Sequence, residues 1–188
     1  GETFKTIKQS LVSRDYNVSY KVIDSRYYGC PQSRQRIYIV CCKNTHYTFK
    51  NIDAPIVPVS TIIDPTVTDF LDYTDKYFLQ PCRGNSMTKY YLINKQTGNG
   101  GRQGERVYNI EKCGPTICAT SGGPGSKTGL YDFNGKIRKL TVTEALRMFG
   151  FDDGYKYDTL TNKNDMLFYL GNSIVVNVLE QIINDLQH

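Results

Sequence analysis

Four short stretches of this 188-residue chain hold side chains whose types and spacing suit chemistry on a nucleic acid. The first runs from Tyr28 to Tyr38 and contains Gln32-x-Arg34-x-Arg36 on a loop entering an apolar strand. Alternate residues of a strand point the same way, so Arg34 and Arg36 are expected to present two guanidiniums to one pocket. Two fork-shaped cations suit a phosphate or a base carbonyl. The second, Gly100 to Tyr108, offers Gln103, Glu105 and Arg106 among glycines. Gln and Arg make bidentate contacts with adenine or guanine edges, Glu accepts from cytosine, and glycine lets the backbone come close. In the third, Ser121 to Lys127, Gly122-Gly123 suits backbone contact and Lys127 suits a phosphate. The fourth is Gly171-Asn172-Ser173, which precedes an apolar run as a helix N-cap does. Taken singly these are a pair of surface arginines, a glycine-rich hairpin turn, a loop and a cap.

The elements that must position them can be read from periodicity. Phe4, Ile7, Leu11 and Val12 have helical spacing over Glu2 to Ser13. Tyr16, Val18, Tyr20 and Val22 alternate as in a strand, and Arg36 to Cys42 reads as a short buried strand. A lone two-stranded piece is marginal in water, so this stretch is expected to need a larger sheet to join. Residues 45–80, rich in Pro, Asp and Thr, read as loops around short pieces such as Pro58 to Ile63. Lys89 to Lys136 is β-prone and glycine-dense, with strands expected at Tyr90–Ile93 and Glu105–Tyr108. Thr141-x-x-Glu144 is a capping box that starts a helix at Val142 or Thr143. A last helix is expected from Ser173 to Leu186, with Val175, Val178, Leu179, Ile182, Ile183 and Leu186 on one face.

The net charge of +5 is unevenly spread. Residues 1–50 hold nine basic against three acidic side chains and residues 81–139 hold ten against three, whereas 51–80 and 140–188 are acidic. Two basic blocks fit a polyanion. The six cysteines form no Cys-x-x-Cys, and only His46 and His188 are available to join them, so no structural zinc is expected. No run of 18 apolar residues and no secretory signal occurs, which suits reduced thiols in a cytoplasmic protein with access to DNA.

Three segments, in order, resemble the last three blocks of the DNA cytosine-5 methyltransferases: Tyr28 to Tyr38, Arg138 to Gly150, and Gly171-Asn172-Ser173-Ile174-Val175-Val176-Asn177-Val178-Leu179. The resemblance implies the C-terminal piece of a Rossmann-like α/β domain, a helix, two strands and a closing helix, plus a small, irregular, mostly β target-recognition domain. It divides the chain into 1–47, the end of the catalytic domain; 48–137, the recognition domain; and 138–188, the helices that return. It implies that Arg36 contacts the carbonyl of the target cytosine and that Arg34 positions the catalytic loop or a phosphate, both preorganised against charge building on the ring. Gln103, Glu105, Arg106, Thr116, Gly122, Gly123 and Lys127 would read double-stranded DNA. Ser121 stands where smaller members of the family have glycine, and Pro124 follows the glycine pair, so the target sequence does not transfer. Asn172 and Ser173 would line the pocket of S-adenosylmethionine. The family's methyl-donor glycine loop, Pro-Cys nucleophile and Glu-Asn-Val acid precede these blocks and do not occur in this sequence. Pro81-Cys82 follows the arginine block instead and lacks the apolar strand that leads into a nucleophile, so it is read as a coincidental loop cysteine. The expected function is therefore the DNA-recognition part of a cytosine-5 methyltransferase, inactive alone and either completed by a separate N-terminal methyltransferase chain or a fragment of one polypeptide. The alternative is a catalytically inactive, stand-alone DNA-binding or regulatory module.

Overall fold

In a computed structural model, which describes residues 1–84, 87–157 and 162–187, the alternating segments near the start pair as expected. His188 lies outside the described residues. Helix α1 (Glu2–Val12) leads into β1 (Asn17–Asp24), which runs antiparallel to β2 (Gln35–Cys42), from Asn17 opposite Cys42 to Asp24 opposite Gln35. Between them a 3-10 turn, Ser25–Tyr28, is capped by the Asp24 carboxylate and ended by Gly29 at φ +75°. The β2 strand was expected to be buried, yet only Tyr38 on it is buried. Its Ile37 is about half exposed, as are its neighbours on β1, Tyr20 and Val22. The cause is that only α1 covers this face, through the Phe4 ring set edge-on to Tyr20 at 4.6 Å, and α1 buries none of its own residues.

The second sheet has five strands in sequence order: β3 (Tyr77–Pro81), β4 (Thr88–Asn94), β5 (Arg106–Asn109), β6 (Leu130–Phe133) and β7 (Lys136–Lys139). All neighbours are antiparallel except β5 and β6, which are parallel. Side chains alternate across a sheet, and here both faces are packed. Leu92, Val107, Leu130 and Ile137 form a small core on one side with Leu71, Tyr73 and Leu79. Tyr108 and Tyr131, one residue on, point into the main core on the other. The expected strand at Glu105 begins one residue later, because Gln103–Glu105 close a 3-10 turn whose Arg102 amide donates to Glu105 Oε2 at 3.1 Å.

The chain returns through α2 (Val142–Arg147), α3 (Lys163–Asn172) and α4 (Val176–Leu186). The Thr141–Glu144 capping box forms as its sequence requires. Glu144 does more than cap: its two oxygens accept from Arg138 at 2.7 and 2.8 Å and from the amides of Asp64 and Thr141, in a fully buried setting. Burial acts against this carboxylate, but the Arg138 guanidinium and those amides hold its pKa below the ordinary value. The apolar faces of α2 and α4 close the main core through Ala145, Leu146, Val178 and Ile182. The architecture is α/β: a helix-covered two-stranded piece, a five-stranded sheet, and helices that return from the second to the first. No single described helix is long and apolar enough to cross a membrane.

Candidate functional site

The arginine block does not deliver twin donors to one pocket. Arg34 precedes β2 rather than lying in it, so strand alternation does not govern its direction, and its side chain turns inward to 2% exposure. Its Nη1 donates to Ile117 O at 3.0 Å, and its Nη2 donates to Gly171 O and Ser173 O, both at 2.8 Å. The guanidinium also sits 5.1 Å from the Phe149 ring. Burial, with Arg36 alongside, pulls its pKa down to about 10, which still leaves it cationic at neutral pH. Arg36, at the start of β2, is exposed and spends one donor on its neighbour Gln35 O. Its remaining N–H groups have no hydrogen-bond partner among the described residues.

Gln32, quoted in the motif but given no role from sequence, is fully buried. Its amide accepts from Ile117 N at 3.0 Å and donates to Met148 O at 3.1 Å. Segment 114–118 is thereby held beside the arginine block, with Ser33 N on Gly114 O and Gly114 N on Pro31 O. Thr116 lies in this segment, half-buried, and its hydroxyl donates to Ser33 O at 2.6 Å. Its lone pairs remain as acceptors.

The second and third stretches, read separately in the sequence, come together through glycine. A Cβ on Gly104 would lie 1.8 Å from Gly122 O, and one on Gly125 would meet Gly104 O at 3.0 Å. Gly125 N donates to Gly104 O at 2.7 Å. Gly123 takes φ +86° beside the same residue. Only glycine permits backbones this close. Around this contact Gln103, Arg106, Gly122 and Gly123 are exposed, while Glu105 is half-buried and occupied with its own turn. Arg106 Nε donates to Gly101 O at 3.2 Å, which steadies the side chain at its base. Lys127, held at φ +69°, donates to Asn164 O from its ammonium and keeps two further N–H groups.

The Gly171–Ser173 turn departs from its sequence reading. Asn172 and Ser173 do not cap the last helix; they end α3, and the N-cap of α4 is Val175. Helix α4 starts at Val176, three residues after the expected Ser173, because Ser173 and Val175 have extended backbone. Gly171 packs backbone to backbone on the other segment: a Cβ there would lie 2.0 Å from Ala119 N. Asn172 is exposed and its Nδ2 donates back to Phe168 O, leaving Oδ1 without a partner among the described residues. Ser173 Oγ has only a long 3.5 Å contact with Ile174 O. The turn thus offers polar tips near the exposed side chains of Phe168, Tyr169 and Ile174.

Cys82 follows β3 in the five-stranded sheet, with its Sγ 3.2 Å from the Tyr91 hydroxyl, so it is placed apart from the arginine block. Cys118 was given no role from sequence, yet its Sγ accepts from Gln103 Nε2 at 3.0 Å. Burial pushes the thiols of Cys30 and Cys113 up, to about 12 and about 11, so both are protonated packing groups. Among the described residues no group of three His, Cys, Asp or Glu side chains gathers to hold a metal ion.

The family model for C-5 cytosine-specific DNA methylases matches residues 1–188. The chain belongs to that family. It is 34% identical over 194 residues to the type II methyltransferase M.HhaI of Haemophilus parahaemolyticus, covering 97% of this chain and 57% of that protein. It is 29% identical to the orphan methyltransferase M.SssI of Spiroplasma monobiae, covering 94% of this chain and 46% of the relative. The chain therefore spans about half the length of the curated methylases it matches. Among solved structures, that of a Spodoptera frugiperda DNMT2 mutant superposes with a TM-score of 0.70 at 12% identity, over 100% of this chain and 63% of the other. The S. pombe Dnmt2 methyltransferase superposes at 0.66, also at 12% identity, over 64% of its own length. These two likenesses show that the chain shares the fold of the Dnmt2 methyltransferases.

Proposed function

We propose that this chain is the DNA-reading and pocket-closing part of a DNA cytosine-5 methyltransferase, working with an N-terminal half that carries the glycine loop, nucleophile and acid. The observation that carries this reading is the joining of the two reading loops by Gly104 and Gly122–Gly125, on the same segment that lies against the Gly171–Ser173 turn. One body thus offers base-reading side chains, a free guanidinium and a cofactor edge. In functional terms residues 48–137 read the duplex, and residues 1–47 and 138–188 complete the catalytic domain.

Gln103 and Arg106 stand exposed where they can meet base edges, and Arg106 is steadied by Gly101 for a two-pronged contact. The Gly122-Gly123 backbone and the spare donors of Lys127 take phosphate or sugar. Enzymes that act on a base extrude it from the stack. The free N–H groups of Arg36 then hold the carbonyl of the extruded cytosine and stabilise negative charge as it grows on the ring. Asn172 and Ser173 hold the polar end of S-adenosylmethionine, which supplies the methyl group when bound.

The test is labelled methyl transfer to duplex DNA by the purified chain, alone and mixed with a separately made N-terminal half. Transfer is expected only from the mixture, and Arg36→Ala is expected to abolish most of it. Transfer by the chain alone that disappears in Cys82→Ala would overturn this reading. DNA binding with no transfer from the mixture would favour a stand-alone reading module.

A further inference from the structure

The reading loops and the cofactor edge are distinct in sequence but share a joint. Arg34 holds Ile117 O on one side and Gly171 O and Ser173 O on the other, in a buried position where water does not compete. The two segments touch directly as well, since Gly171 leaves no room for a Cβ against Ala119 and Cys118. On the reading side, Cys118 Sγ accepts from Gln103, and Cys118 N donates to Lys127 O at 3.1 Å. On the cofactor side, Lys127 reaches Asn164 O on α3, the helix that ends in Asn172. Two hydrogen bonds beyond Gln103 the path reaches Arg34, and one more reaches Ser173.

We propose that Arg34 is a positioning residue that couples DNA reading to cofactor binding, by holding the Ile117–Ala119 segment and the Gly171–Ser173 turn as one unit. Its role is then neither a phosphate contact nor a contact with the reacting base, because its terminal nitrogens are engaged by the three carbonyls. The planar fork matters. A lysine ammonium keeps the charge but is a compact point donor that cannot span three carbonyls fixed around a guanidinium. A ligand that orders either side lowers the cost of ordering the other, and linkage requires the effect to be equal in both directions. This inference rests on the function proposed above.

Its test uses the chain combined with its N-terminal half, the demethylated product S-adenosylhomocysteine, and mixed-sequence duplex DNA. Each ligand's dissociation constant is measured with and without the other. Each is expected to tighten the other by one common factor of about tenfold, and Arg34→Lys to bring that factor close to one. A merely structural role would weaken both ligands and leave the factor unchanged. An unchanged factor in a variant that melts like the unsubstituted protein overturns the coupling role and leaves the proposed function standing. An unsubstituted complex that binds neither ligand overturns the function and the coupling with it. Hydrogen exchange on the unsubstituted complex gives a reading that needs no variant. DNA is expected to slow exchange at Gly171–Val175 and S-adenosylhomocysteine to slow it at Ile117–Ala119, and absence of this cross-protection overturns the proposal.

Discussion

In the five-stranded sheet Val107 and Leu130 are buried on one face and Tyr108 and Tyr131 on the other. In the two-stranded sheet Ser19 and Ile23 are buried, while Tyr20 and Val22 on the opposite face stand about half in water or more. The first sheet finds cover for both faces within this chain: segment 71–79 on one side, the helices and segment 110–118 on the other. The second joins the main core through Ile23 and Tyr38, but its Tyr20 and Val22 face has only α1, which buries nothing of its own. Apolar strand faces of this kind are association surfaces. The difference teaches that the five-stranded sheet finds cover for both faces within the chain, whereas the two-stranded sheet presents apolar surface suited to further packing, as the proposed N-terminal half would supply.

The largest expected effect lies where α2 meets the covered five-stranded sheet. Glu144→Gln removes the partner of a buried guanidinium and should cost about 3–5 kcal/mol in denaturant unfolding. Because the folded pKa of Glu144 is depressed, its contribution is full above the ordinary carboxyl range near ~4.3 and is lost as pH falls through the lower folded value. The variant should lose that part of the acid dependence, and an unaltered pH profile would show that the pair does not hold the region together.

Gly104→Ala comes next. A methyl where Gly122 O stands 1.8 Å away forces the Gly104 turn and the Gly122–Gly125 loop apart, at about 1–3 kcal/mol by analogy with overpacked cores. Thermal melts would report this cost, and DNA binding should fall while the two-stranded region is undisturbed. Arg106→Ala should leave the melt unchanged and cost about 1–3 kcal/mol on a recognised duplex, with little loss on random sequence. Equal losses on both would reassign Arg106 to phosphate. Val22→Lys should have the smallest effect on the chain itself, within about 0.5 kcal/mol, since the side chain is exposed. The same change should prevent association with the N-terminal half in sedimentation. Undiminished association would mean that the bare face is not where that half packs.

Periodicity made α1, β1, β2 and the start of α2 legible, because each carries a clean pattern of its own period and a capping signal where one is needed. It failed at α3, whose Met166-Leu167-Phe168-Tyr169-Leu170 run is apolar on all sides and has no phase to read. That failure displaced the cap from Val175 to Asn172–Ser173. β3 was hidden for a related reason: it is an edge strand with exposed positions and ends in Pro81, so it reads as loop. Within the candidate site the residue types were legible and their company was not. Alternation assigned Arg34 and Arg36 to one pocket, but the rule applies only inside a strand, and β2 starts between them. The contact of Gly104 with Gly122–Gly125, and that of Gln103 with Cys118, join residues that no local pattern links.

Gln32 fastens the chain to positions 85 and 116 residues further along. Loop closure over such spans is entropically costly, and its cost is met only after the nearby hairpins have formed. The Gln32 clasp is therefore expected to form after the hairpins. Gln32→Ala should therefore steepen the loss of the native state with time, raising the unfolding rate far more than it lowers the refolding rate in a chevron. That result would tie the lifetime of the folded state, rather than the speed of folding, to one buried amide.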